Sequence, residues 1–225
     1  MSVSSNTTYF VQKKFIQKEF SKKFNVNIED VYVEFPDIEK IDANKISSLN
    51  KNEGETWFVY PATPLLYKKH ITLVEALHIL KQKNPELAET IKVHLTLKKG
   101  IMPDLEREIQ RYNLSENFIF HGVIPHDDLL RIYKSSDGLL FPSVIETLGL
   151  PLLEAASFGL PIVVSKLGYS EAVIGNYKGT YFVESGNIDQ WYNAIINIVQ
   201  NKKKYEHLVQ NDYSSWNELF SIIYR

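Results

Sequence analysis

The sequence predicts an α/β fold, a doubly wound parallel sheet, on three observations. Six short apolar runs recur between residues 57 and 183. Stretches of helical periodicity fill the gaps between them. The runs are apolar throughout instead of alternating, which is the pattern of strands covered on both faces. Strand–helix alternation of this kind builds a parallel sheet.

The first elements stand apart from that pattern. Residues 8–11 read as a strand and 12–24 as an amphipathic helix, with Phe15, Ile16, Phe20 and Phe24 on one side. Lys13, Lys14, Lys18, Lys22 and Lys23 crowd the other side. A core-packing helix with a solvated basic face is preferred to a membrane-surface helix, which stays as the alternative. Residues 31–35 form a second strand, stopped by Pro36. This strand–helix–strand is too small to make a core of its own. Residues 36–55 are polar and aperiodic, as in a linker or long surface loop.

The sheet strands are predicted at 57–60, 91–97, 118–120, 138–141, 161–164 and 181–183. Helices are predicted at 70–81, 103–112, 126–133, 151–158 and 170–174. The last part changes character, with two successive helices at 187–201 and 203–224 and no strand between them.

Composition narrows the class. Of 225 residues, 44% are hydrophobic and 23% charged, an ordinary soluble globular balance. A formal net charge of −2 gives no general attraction to nucleic acid or anionic membrane. The chain has no cysteine, which excludes disulfides and thiolate-bound metal and suits a reducing compartment. No apolar run approaches the ~18 residues of a membrane span. The first residues lack the basic and apolar regions of a signal peptide. A cytoplasmic protein is expected.

In a doubly wound sheet, ligands bind beyond the carboxyl ends of the strands. Loops 61–70, 122–125, 142–150 and 165–170 fall there; two carry lysines and one leads to paired acids. That combination suits a ligand both anionic and polyhydroxylated. The central stretch is FPSVIETLGLPLLEAASFG, residues 141–159. Gly149 lets the backbone come close to a ligand, and the helix start at Leu150-Pro151 leaves free N–H groups for a phosphate. Lys68 enters a helix from the neighbouring loop and can join such N–H groups on a phosphate. Lys69 is equally basic, and spacing does not choose between them.

Glu146 and Glu154 admit several readings. They could be a hydrolase carboxylate pair, or acceptors for sugar or ribose hydroxyls. As metal ligands they lack histidine or aspartate companions in their loops. Glu154 could also be a first-turn acid that stabilises a helix N-terminus.

The setting of the pair is more specific than the pair itself. Pro142-Ser143, Glu146, Gly149-Leu150-Pro151, Glu154-Ala155, Gly159 and Pro161 resemble the donor-site signature of family 4 (group 1) glycosyltransferases of the GT-B fold. The likeness runs from about Val11 to the C-terminus. TYFVQKKFIQKEF, YKKHITLVEAL and FHGVIPHDDLLRIYKSSDGLLFPS are similar to successive elements of that family, and the segment from Trp216 to Tyr224 to its closing helix.

The resemblance implies a Rossmann-like C-terminal domain of a GT-B enzyme at 56–201. It implies a remnant of the acceptor-side domain at 1–35, a linker at 36–55 and a closing helix at 202–225. The implied activity is that of a retaining, metal-independent glycosyltransferase of the hexosyltransferase type. Its donor is a UDP- or GDP-linked sugar, and its product a surface polysaccharide or other glycan. Lys68 is implied to neutralise the donor diphosphate, Glu154 to hold the ribose, and Glu146 to sit by the transferred sugar. Lys68 and Glu146 are thus the implied catalytic residues. The backbone of Thr147, Leu148 and Gly149 meets sugar and phosphate, Ser143 joins the donor set, and Gly122, Val123 and Ile124 cradle the base.

No metal or other cofactor is implied. The acceptor, a glycan or lipid-linked sugar, belongs to an N-terminal domain that the sequence does not include. Peripheral contact with the inner face of the membrane is the extra partner considered; nucleic acid is not one. Two departures bear on activity: Thr63 stands where the family usually has an arginine, and the acceptor half is missing. A nucleotide-sugar-binding module, or half of a split enzyme without turnover alone, is therefore the second reading. A GT-B-like epimerase or phosphorylase is a weaker third, disfavoured by the Glu146/Glu154 spacing.

Overall fold

The computed structural model describes residues 7–34 and 41–208. Six strands form one wholly parallel sheet: β3 (Thr56–Tyr60), β4 (Ile91–Leu95), β5 (Phe118–Phe120), β6 (Gly138–Phe141), β7 (Ile162–Ser165) and β8 (Thr180–Val183). Their order is β5-β4-β3-β6-β7-β8. Each of the six predicted strands is present. β4 ends two residues earlier than predicted, and β7 is shifted by one because Pro161 cannot donate to the ladder.

Between the strands run α2 (His70–Lys83), α3 (Pro85–Glu89), α4 (Pro103–Arg111), α5 (His126–Ser135), α6 (Leu150–Ser157) and α7 (Gly168–Ile174); α8 (Ile188–Asn201) follows β8. α3 is an addition to the predicted set. Pro85 occupies its first turn, where a missing N–H is harmless, and the Asn84 side chain accepts from Leu87 N. α8 packs on α2. The core is the sheet itself, with Phe58, Tyr60, Ile91, Leu139, Leu140 and Val163 at most 1% exposed.

β1 (Tyr9–Val11) and β2 (Val31–Val33) make a separate two-stranded parallel sheet around α1 (Lys14–Phe24). No residue of α1 is fully buried. Phe15 leans on the main core, whereas Phe24 remains 41% exposed, so the helix is only half covered.

The segment predicted as a polar linker is structurally richer where it is described. Ala43 is buried, and Ile46 and Leu49 pack on the core. Lys134 Nζ donates to Ala43 O and Ser135 Oγ accepts from Leu49 N, strapping residues 43–49 to α5. Lys51 pairs with Asp137.

The second C-terminal helix is corrected over its first residues: 202–208 carry no helix. Tyr205 N instead donates to Gly159 O, and Leu208 N to Ala156 O, pinning the segment across the end of α6. The remainder of that expected helix, and the Trp216–Tyr224 likeness, lie outside the described residues.

Candidate functional site

Strand order reverses between β3 and β6. From β3 the chain winds one way through β4 and β5, and from β6 the other way through β7 and β8. At such a switch point the loops leaving the two strands diverge and open a crevice. The loop after β3 carries Lys68 and the loop after β6 carries Glu146. Their side chains meet across the crevice, with Lys68 Nζ 2.5 Å from Glu146 Oε1 and each 13% exposed.

The backbone fixes both partners. Leu66–Lys68 is a single 3-10 turn, and Lys69 takes a left-handed conformation (φ 52°) that starts α2. That kink turns Lys68 to the crevice and leaves Lys69 exposed. The choice between the two lysines is thus a matter of turn geometry. Tyr60 Oη donates to Lys68 O at 2.6 Å, and Val144 N to Tyr67 O at 2.9 Å, so the two loops are also tied backbone to backbone. Tyr169 Oη donates to the carbonyl of Ser143 at 2.6 Å, and Ser165 Oγ to that of Pro142. Ser143 is fully buried with its hydroxyl on Ile145 O, so its side chain shapes the loop from within.

Electrostatics follow from this packing. Burial, then the Glu146 charge, raises the hydroxyls of Tyr60 and Tyr169 well above the ordinary tyrosine range, so both remain neutral donors. His70, 2% exposed at the start of α2, is lowered to about 4 by burial and then by Lys68. Its ring nitrogens have no hydrogen-bond partner among the described residues.

At α6, Gly149 is left-handed (φ 66°) and the helix begins at Leu150, with Pro151 in its first turn. The amides of Thr147, Leu148, Gly149 and Leu150 find no acceptor among the described residues. These are free donors at a helix N-terminus, directly after Glu146, where an anion is favoured. Thr147 is exposed, whereas the Leu148 side chain is buried in the core, so only its backbone is available to a ligand.

Glu154 is the fifth residue of α6, which removes it from the first turn. The reading of Glu154 as a first-turn acid is corrected: the helix begins one residue before Pro151, and its first turn contains no acid. Its side chain is 12% exposed and meets His126 Nε2 of α5 at 3.0 Å. Tyr133, fully buried on α5, donates its hydroxyl to Pro151 O at 3.5 Å, and burial, then the nearby Glu154 charge, raises that hydroxyl well above the ordinary range.

Gly122, Val123 and Ile124 follow β5 on the same rim. Gly122 is left-handed (φ 73°) and donates to Leu97 O, Ile124 packs on the core, and Val123 is 99% exposed. The loop's next helix brings His126 to Glu154, which is how this part of the rim joins the site. Thr63 is exposed. No group of three or more His, Asp or Glu side chains suited to a metal occurs among the described residues. Sequence reasoning missed Tyr60, His126, Tyr133 and Tyr169. The spacing of His126 and Tyr133, two helical turns apart, was the available signal for one pair.

The chain matches the family model for glycosyl transferases group 1 over residues 42–215. It is 31% identical over 103 residues to the Escherichia coli UDP-Gal:alpha-D-GlcNAc-diphosphoundecaprenol alpha-1,3-galactosyltransferase, covering 45% of this chain and 26% of that protein. It is 21% identical over 186 residues to the O-antigen chain mannosyltransferase RfbU of Salmonella typhimurium, covering 82% of this chain and 49% of the other. The chain therefore spans about half, or less, of the length of these relatives.

Among solved structures, S. aureus TarM in complex with fondaparinux, alpha-GlcNAc-glycerol and UDP superposes with a TM-score of 0.71 at 17% identity, over 87% of this chain and 37% of that one. WaaG, a glycosyltransferase involved in lipopolysaccharide biosynthesis, superposes with a TM-score of 0.70 at 17% identity, over 88% and 55%. At such identities these likenesses speak for the GT-B-type fold alone. The family match covers well over half of the sequence, so the chain belongs to the group 1 glycosyl transferases.

Proposed function

We propose that this chain is the donor-binding half of a retaining, metal-independent glycosyltransferase that takes a nucleoside-diphosphate sugar, UDP- or GDP-linked, for polysaccharide or glycan synthesis. The observation that carries it is the Lys68–Glu146 pair at the β3/β6 switch point, beside the amides of residues 147–150, which have no acceptor among the described residues. A diphosphate entering there meets one ammonium and a helix N-terminus. These are groups that stabilise the charge released on the leaving diphosphate. Glu146 is then placed beside the transferred sugar, Glu154 accepts from the ribose hydroxyls, and the 122–124 loop lies along the base. Retention is attributed to front-face attack, with the leaving phosphate oxygen assisting deprotonation of the acceptor.

Two further features support a facing acceptor wall. Leu66, Val123 and Ile145 project 87%, 99% and 59% exposed from the loops of the rim. The likeness also covers only 26% and 49% of the two relatives, which are longer than this chain. In this reading residues 1–35 belong with the acceptor side, and the enzyme works in the cytoplasm at the inner membrane face.

A panel of UDP, GDP, ADP and their sugars tests the donor site by thermal shift, because a ligand that binds only the folded state raises its stability. At least one nucleotide is expected to raise the melting temperature; no shift across the panel contradicts the proposal. The second reading, a binding module or split half without turnover of its own, is favoured by Thr63 in the arginine position. Transfer of labelled sugar by the purified chain alone would rule it out.

A further inference from the structure

His126 is the one side chain in contact with the Glu154 carboxylate that neither the sequence motif nor the family match singles out. It is the first residue of α5, and Tyr133 follows seven residues later on the same helical face. Glu154 reaches across from α6 to His126 Nε2 at 3.0 Å, while the buried Tyr133 hydroxyl lies close enough to feel the Glu154 charge and donates to Pro151 O at 3.5 Å. An ionised carboxylate only accepts, so His126 presents a protonated Nε2 to it. Among the described residues Glu154 is the only hydrogen-bond partner of the His126 side chain. The ring is otherwise half exposed, on a cavity of about 260 Å³ shared with Asp42, Lys45 and Asp127.

A carboxylate offers about four acceptor positions. His126 takes one, which leaves about three. Two adjacent hydroxyls require two acceptors, and a ribose 2′,3′-diol supplies that pair. A carboxylate free to rotate would have to be ordered on binding, whereas one already held by a hydrogen bond from the neighbouring helix is ready beforehand.

Resting on the donor-site reading above, we propose that His126 is a positioning residue for donor recognition: it fixes the Glu154 carboxylate so that two of its free acceptor positions face a ribose diol. His126 itself makes no contact with the nucleotide, and its effect is confined to discrimination at the sugar hydroxyls.

The test is calorimetric titration of the full chain with the tightest-binding of UDP, GDP and ADP and with its 2′,3′-dideoxy counterpart. The readout is the ratio of the two affinities within each variant, so a loss of folding common to both ligands cancels. His126→Ala is expected to lower the ratio at least fivefold while the dideoxy affinity stays unchanged. His126→Gln, which retains an N–H donor, is expected to restore much of the ratio. An unchanged ratio in His126→Ala, or an equal weakening of both ligands, overturns the proposal. If the unsubstituted chain binds none of the three diphosphates, the donor-site reading itself fails, a result distinct from any change in the ratio.

Discussion

Lys68 and Glu146 stand 78 residues apart in sequence and 2.5 Å apart in space, closing the crevice between the loops that leave β3 and β6. Before any ligand arrives the cation is already paired, so the site holds its charge without exposing it to solvent. A diphosphate carries more charge than one carboxylate and meets the free amides of residues 147–150 as well. It can therefore share Lys68 without first separating the pair.

Lys68→Ala is expected to weaken nucleoside-diphosphate binding by about 1.5–3 kcal/mol, the range for charge-assisted hydrogen bonds. That is roughly a 10- to 150-fold loss in affinity. Lys69→Ala, which alters an exposed side chain one residue on, should change it little. Calorimetry on the two variants decides; equal losses would show that the left-handed turn at Lys69 does not select the binding lysine.

Glu146→Gln separates recognition of the phosphates from recognition of the sugar. Removing the carboxylate leaves the Lys68 charge uncompensated, so a free diphosphate should bind several-fold more tightly, on the order of 1 kcal/mol. The nucleotide sugar should gain less, because Glu146 faces its hydroxyls in the proposed complex. A loss of diphosphate affinity would mean that Glu146 serves to order the 142–150 loop.

Acid stability should bear the mark of two buried histidines. His70 is lowered from 6.5 to about 4 by burial, then by Lys68. His94 is lowered to about 4 by burial, then by His121 and, less, by Lys51, against an opposing pull from Glu55. The unfolded chain binds these protons more readily than the folded one. The stability they contribute is therefore full above about pH 6.5 and is lost as pH falls towards 4, up to about 3 kcal/mol each. His70→Leu removes a side chain whose ring nitrogens have no hydrogen-bond partner among the described residues. It should flatten the decline between pH 6.5 and 4 in denaturant titrations, and an unchanged slope would refute that assignment.

Gly159 marks the place where the C-terminal segment crosses α6. It is left-handed (φ 68°), and a Cβ there would lie 2.5 Å from Tyr205 O. Gly159→Ala should cost about 2 kcal/mol or more, since both the backbone conformation and the contact resist it. For a domain of this size that lowers the melting temperature by roughly 5 °C. A change within 1 °C, measured by calorimetry, would mean that residues 205–208 do not hold this position in solution.

The sheet was legible because its strands are buried on both faces and so read as unbroken apolar runs; Leu139 and Val163 needed no tertiary context. Residues 41–55 were not, because Ile41, Ala43, Ile46 and Leu49 turn inward at irregular spacing, and a few apolar contacts among polar neighbours carry no period. α3 was hidden by Pro85, which reads as a stop but serves here as a first-turn residue. Residues 203–208 carry helix-compatible side chains, yet backbone bonds to Gly159 and Ala156 hold them otherwise. In the site, the glutamates and Lys68 were visible from the motif. The buried tyrosines were not, since a tyrosine in a strand or helix looks like core until its hydroxyl is seen to hold a loop.

Amide hydrogen exchange with and without saturating nucleoside diphosphate tests the central claim most directly, because the free N–H groups of residues 147–150 are where the phosphates are placed. Exchange at these amides should slow markedly on binding, with a smaller effect at 122–124 and none in α4. Unchanged exchange at 147–150 under conditions where the nucleotide is bound would contradict the account and put the ligand elsewhere on the molecule.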